Sequence, residues 1–132
     1  MLFRSDSHRL ITELFNLGLR QFVVENAVDF GTLPGANIIL VDSSITALQK
    51  LVIHHRSQFD IPVVGITGSN GKTIIKEWLY QVLSPDVHVI KNPGSYNSQV
   101  GVPLSVWGMS PAHHVGVFEA GISTVGEMQM LQ

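Results

Sequence analysis

The stretch VVGITGSNGKTIIKEW, residues 63–78, decides how the rest of the chain is read. A short β-branched run ends in small and polar residues, followed by Gly71, Lys72, Thr73 and a segment of helical spacing. A strand, a glycine-rich loop and a helix in that order make a phosphate cradle. Glycines let backbone amides turn inward, and the helix offers its amino end to the same anion. Gly65, Gly68 and Gly71 are expected to take backbone angles closed to other residues. The expected phosphate-binding residues are Thr67, Gly68, Ser69, Asn70, Gly71, Lys72 and Thr73. Lys72 adds a mobile positive charge, and the Thr73 hydroxyl is placed to ligate a magnesium ion held by the phosphates. The loop departs from the strict pattern, since Ile66 stands where the first glycine should fall. The alternative is a plain glycine turn whose lysine is solvated surface. A dinucleotide loop has no use for a Lys-Thr pair here, and no acidic residue stands at a second strand end about 20 residues on.

Working outward, residues 8–18 read as a helix with Asp6 or Ser7 as its cap, 21–25 and 38–41 as strands, and 44–58 as a helix capped by Ser43 or Ser44. The apolar face of that last helix is expected at Ala47, Leu48, Leu51 and Val52. After Pro62 come a strand at 63–66, a helix at 72–83 with Ile75, Trp78, Leu79 and Val82 inward, and a strand at 87–90. Next come a loop, a short helix in VGVPLSVW interrupted early by Pro103, a strand at 115–120, and the start of a helix from Thr124. Strands alternating with helices imply an α/β fold with a parallel sheet and helices on both faces. The organisation expected is a partial small α/β lobe at 1–60, then a truncated P-loop-type domain at 61–132.

Composition narrows the function. With 45% hydrophobic and 14% charged residues and a net charge of −2, the chain has no general pull on nucleic acid or on an anionic membrane. Anion binding must therefore be local. The absence of cysteine excludes disulfides and thiolate metal sites and fits a cytoplasmic location. No apolar run approaches the roughly 20 residues that span a bilayer, so neither a signal peptide nor membrane insertion is expected.

Glu119 falls at the carboxyl end of a strand, where parallel sheets bind ligands, and could complete a magnesium sphere begun by Thr73. The alternative is a solvated strand-end glutamate. Asn97 lies in a loop returning to the same crevice, to orient a phosphate or metal-bound water, or merely to hold its own turn. The pairs His54-His55 and His113-His114, and the isolated His8 and His88, have no transition-metal spacing. Trp78 and Trp107 fall in apolar periodic segments and are expected in the core.

Taken together, GITGSNGKT, NPGSYNSQVGVPLS and VGVFEAG resemble, in order and spacing, the ATP-dependent Mur ligases of peptidoglycan synthesis. SQVGVPLSVW and the amino-terminal SDSHRLITELFNLGLRQFVVE look most like the branch that adds D-alanyl-D-alanine to UDP-N-acetylmuramoyl-tripeptide, in the form fused in some bacteria to an alanine racemase. The resemblance implies ATP and Mg2+ as cofactors, and the UDP-N-acetylmuramoyl-peptide and D-alanyl-D-alanine as substrates. It implies that 1–60 is part of a UDP-sugar-binding domain and 61–132 the start of an ATP-binding domain. It matches Lys72 to the lysine on the β and γ phosphates, Thr73 and Glu119 to magnesium ligands, and Asn97 to the asparagine that arranges metal and phosphate. Ser95 and Ser98 replace the loop's usual outer asparagines, Ile74 a common second threonine, and Ser7 the glycine of an Asp-Gly-His triplet. The family's second-metal histidine, carbamylated lysine, adenine and ribose contacts and last-domain arginine have no counterpart here. The expectation is thus part of an amide-bond ligase, inactive by itself, with open sheet edges that favour self-association. The rivals are a non-catalytic nucleotide- or partner-binding P-loop module, and a small P-loop kinase.

Overall fold

The computed structural model describes residues 10–27 and 30–121. The expectations for Asp6, Ser7 and His8, and for a helix from Thr124, lie outside the described residues. The chain divides into two compact units, Met1–Ala47 and Leu48–Gln132.

In the first unit, helix α1 (Ile11–Asn16) precedes strand β1 (Gln21–Val24), a 3-10 turn (Phe30–Thr32) and strand β2 (Asn37–Leu40). The strands are parallel, with Phe22 opposite Ile38 and Val24 opposite Leu40. The alternation in β1 buries Phe22 and Val24, which pack with Ile11 and Leu33. Helix α2 (Ser44–Arg56) starts under two caps. Ser43 Oγ accepts from the Thr46 amide at 3.3 Å, and Glu25 Oε1 accepts from both Ser44 N and Ser44 Oγ at 2.7 Å. A carboxylate at a helix amino end is favourably placed against the helix dipole.

The second unit is a three-stranded parallel sheet in the order β3 (Val63–Ile66), β5 (Val115–Glu119), β4 (Val89–Lys91). The last strand among the described residues is thus the central one. Its Ile66↔Glu119 pairing puts the end of β5 beside the point where the glycine loop leaves β3. Helix α3 (Lys72–Leu83) and helix α4 (Gly101–Trp107) link the strands. Phe118 clusters with Ile90, Met109 and, on α4, Val106, whereas Glu119 meets α3 through Lys76. Successive strand residues point to opposite faces, so the two helices cover opposite faces of the sheet.

Four expectations are corrected. Most of the expected apolar stripe of α3 does not face inward: Ile75, Trp78 and Val82 are exposed, Trp78 to 65%, Leu79 is half-buried, and the one buried residue of the helix is Lys76. The sheet-facing side of α3 meets Glu119 and the loop after β4, a polar surface that takes an ammonium rather than an indole. Trp107 is half-exposed, its ring 4.9 Å from that of His55, so neither tryptophan is a core residue. On α2, Leu51 is exposed, and Gln49 and Val52 are the buried positions. Pro103 does not interrupt α4. It is the third residue of the helix, where its missing N–H costs no intrahelical bond.

Candidate functional site

The loop at 67–71 takes its shape from two glycines. Gly68 has φ 143° and Gly71 φ 79°, and Gly71 is the residue from which α3 starts. Gly65, expected to share this role, is an ordinary strand residue of β3 without positive φ. No side chain caps α3, and no acidic residue stands in its first turn, so the helix amino end faces the loop as an electropositive group. Thr67, Ser69 and Asn70 are exposed along the loop, and Thr73 is half-buried in the first turn. The Lys72 ammonium curls back to donate to Gly68 O at 2.6 Å, closing over the loop it is expected to serve.

Glu119 is wholly buried, which overturns the reading of a solvated strand-end carboxylate. Asn97 Nδ2 donates to its Oε1 at 3.2 Å, so the Asn97 amide serves the carboxylate rather than its own turn. The other oxygen, Oε2, has no hydrogen-bond donor and lies 3.6 Å from the Lys76 ammonium. The loop bearing Asn97 is held at both ends. Asn97 O accepts from Gly121 N at 2.7 Å, and Gly101 lets α4 approach so closely that a Cβ there would lie 2.8 Å from the Tyr96 carbonyl carbon.

Lys76 and Asn92 belong to the same cluster and escaped the sequence reading. Asn92, fully buried, accepts from Glu119 N at 3.0 Å and donates to Glu119 O at 2.9 Å and to Tyr96 O at 2.7 Å. Lys76 donates to Gly94 O. The only signal for Lys76 was its place one turn after Lys72, inside an apolar segment. Nearby, Lys91 donates to Glu77 and lies 4.1 Å from the Tyr80 ring centre. Lys91 holds the Glu77 carboxyl below its ordinary value, with Lys76 adding a smaller pull against the opposing effect of desolvation.

The donor set suits a hard divalent ion. One buried carboxylate oxygen lacks a donor, a threonine hydroxyl starts the adjacent helix, and the rest of a magnesium sphere is ordinarily phosphate and water. Among the described residues no three His, Cys, Asp or Glu side chains gather into a metal cluster. His88 and His114 meet through a backbone N–H to Nδ1 bond at 3.1 Å, and Ser110 donates to His113 Nδ1. A cavity of about 440 Å³ lies on the α4 face, lined by Val52, Val63, Val102 and Phe118 among others, and contains none of the site residues expected from sequence. No helix among the described residues is long and apolar enough to cross a membrane.

Residues 66–132 match the family model of the Mur ligase middle domain. The chain is similar to the UDP-N-acetylmuramoyl-tripeptide--D-alanyl-D-alanine ligase of Bacillus subtilis, 35% identical over 97% of this chain and 28% of the relative. It is likewise similar to that of Treponema pallidum, 34% identical over 96% and 29%. Among solved structures it resembles the MurF ligase of Thermotoga maritima in complex with ADP, with TM-score 0.85 and 34% identity over 98% of this chain and 29% of that one. MurF from Acinetobacter baumannii superposes with TM-score 0.89 at 28% identity, over 97% and 28% of the two chains. The chain therefore spans a little over a quarter of the length of the relatives it matches.

Proposed function

The chain belongs to the Mur ligase family, and from that premise we propose that it supplies the phosphate-binding part of an ATP-dependent amide-bond ligase. The ligase adds D-alanyl-D-alanine to UDP-N-acetylmuramoyl-tripeptide. Residues 61–132 begin its ATP-binding domain, and residues 1–60 are part of the domain that takes the UDP-sugar. The observation that carries this reading is Glu119, a buried carboxylate with one oxygen lacking a donor, at the strand end beside the glycine loop.

The reaction has two steps. The terminal carboxylate of the tripeptide attacks the γ-phosphorus of ATP, ADP leaves, and an acyl phosphate forms. The dipeptide amine then attacks the acyl carbon, expels inorganic phosphate, loses a proton and leaves an amide. The first step brings two anions together, so positioned positive charge lowers its barrier. The loop amides at 67–71 and the amino end of α3 bind the phosphates, and Lys72 releases Gly68 O to reach the β and γ oxygens. Thr73 and Glu119 would hold Mg2+, whose charge would offset that of the phosphates, and Asn97 fixes the carboxylate that would receive it. Substrates of this kind, ATP and a UDP-sugar peptide, belong to the cytoplasm.

These 132 residues alone carry no ligase activity in this reading, because they span so little of the relatives. Among the described residues β3 is an edge strand, with Val63 and Val64 about two-fifths exposed, which supports self-association; light scattering against concentration tests it.

The ligase assignment is tested by grafting residues 1–132 in place of the matching segment of the Bacillus subtilis relative. Phosphate release that requires both UDP-sugar tripeptide and D-alanyl-D-alanine, and that disappears with Lys72→Ala, is expected. A graft that folds by circular dichroism yet releases phosphate with neither substrate dependence overturns the assignment.

A further inference from the structure

α3 buries one side chain, and it is a lysine. Lys76 and Glu119 are both fully buried, with Lys76 Nζ 3.6 Å from Glu119 Oε2. That separation is too long for a hydrogen bond, and Oε2 has no other donor. The ammonium spends its hydrogen bond on Gly94 O instead, in the loop that carries Asn97, and stands 3.7 Å from Glu77 Oε1. Lys76 thus touches three segments at once: the helix that begins with Lys72 and Thr73, the loop at 92–98, and the end of β5.

A carboxylate this deeply buried needs a compensating charge, since an unpaired buried ion is strongly destabilising. Among the described residues, Lys76 is the one basic side chain that pairs with Glu119. Its contact with Oε2 is electrostatic only, so a divalent ion can take Oε2 without breaking the bond from Lys76 to Gly94 O. We propose that Lys76 is a positioning residue of this site: the resident counter-ion that faces Glu119 and holds it in place when no metal is bound, and the tether that aligns the Asn97 loop with α3. Its functional meaning rests on the reading of Glu119 as a magnesium ligand.

The two residues are separable by a double-mutant cycle followed by unfolding of the 132-residue chain in chelator, with Lys76→Met, Glu119→Gln and the combination. Lys76→Met is expected to lower the folding equilibrium constant about tenfold or more. The double variant, which buries no charge at either position, is expected to recover about tenfold over the product of the single effects. On addition of magnesium chloride with ADP, the melting temperature of Lys76→Met is expected to rise further than that of the unaltered chain, and this extra rise disappears when Glu119 is Gln. If Lys76→Met does not fold in chelator, folding restored by magnesium with ADP, or by the second substitution, gives the same result. Additive single effects overturn the proposal, because Lys76 then acts through Gly94 O alone. A magnesium response that is present and equal in both proteins overturns it too. Coupling in chelator with no magnesium response in any variant supports the ion pair and overturns the metal assignment of Glu119 instead.

Discussion

Asn92 pairs with the backbone of Glu119 as a neighbouring strand would: its Oδ1 accepts from Glu119 N at 3.0 Å and its Nδ2 donates to Glu119 O at 2.9 Å. The β4–β5 ladder ends at Lys91↔Val117, two residues short of Glu119, so a side-chain amide replaces the missing strand on that side. On the other side Ile66 continues the ladder. The backbone that aims Glu119 is thereby fixed from both directions at the point where the sheet would otherwise fray. Asn92→Ala is expected to destabilise the chain by about 2–6 kcal/mol, from two buried backbone groups at roughly 1–3 kcal/mol each. Urea unfolding measures this, and an effect under about 0.5 kcal/mol would show that water replaces the amide without loss.

Gly101 is a second fixed point. A Cβ there would sit 2.8 Å from the Tyr96 carbonyl carbon and 3.0 Å from its oxygen, both backbone atoms. Gly101→Ala must therefore move the Asn97 loop away from α4. The expected cost is about 1–3 kcal/mol in unfolding free energy, although alanine suits a helix better than glycine. A stabilised variant would mean that the close approach is absent in solution.

Much of this was legible in the sequence. Strand 63–66 and helix 72–83 follow from a β-branched run, a glycine loop and a helical period, all local signals. Lys72, Thr73, Asn97 and Glu119 stand out by motif as candidates, and of these Asn97 and Glu119 meet in the structure. What was not legible depends on contacts distant in sequence. Lys76 reads as a surface residue on a helical wheel, and only the buried carboxylate 43 positions later makes its burial favourable. Trp78 reads as core by the same wheel, yet its stripe faces away from the sheet. Asn92 sits beside Pro93 in a run rich in turn formers, and nothing local distinguishes a turn asparagine from one that completes a strand ladder.

Trp78 gives a direct check on the orientation of α3. At 65% exposed it contributes little packing, so Trp78→Ala is expected to change stability by no more than about 0.5 kcal/mol. Its fluorescence should respond fully to a soluble quencher. A loss of about 3 kcal/mol or more, the range for a buried tryptophan, would mean that the apolar stripe of α3 is the packed one.

Glu77 sets a dependence on pH. Lys91 holds its carboxyl below the ordinary value, with Lys76 also facing it. A folded-state value below the unfolded one contributes stability above the unfolded value, about pH 4.3, and that stability fades as acid protonates the folded carboxylate. The unaltered chain is expected to be more stable than Glu77→Gln at neutral pH, with the gap closing as the pH falls below about 4. A gap that stays constant down to that acidity would show that Lys91 gains nothing from the charge.

The claim that the loop at 67–73 holds phosphate is tested most directly by calorimetric titration of the chain with magnesium-ATP, alongside Lys72→Ala. Lys72 is at the mouth of the loop, and its recorded bond is to Gly68 O in that same loop, so the substitution should leave the fold intact by circular dichroism. Binding heat in the unaltered chain that vanishes with Lys72→Ala is the expected outcome. Equal heat in both proteins, or none in a chain that is demonstrably folded, would mean that residues 67–73 do not hold phosphate in this chain.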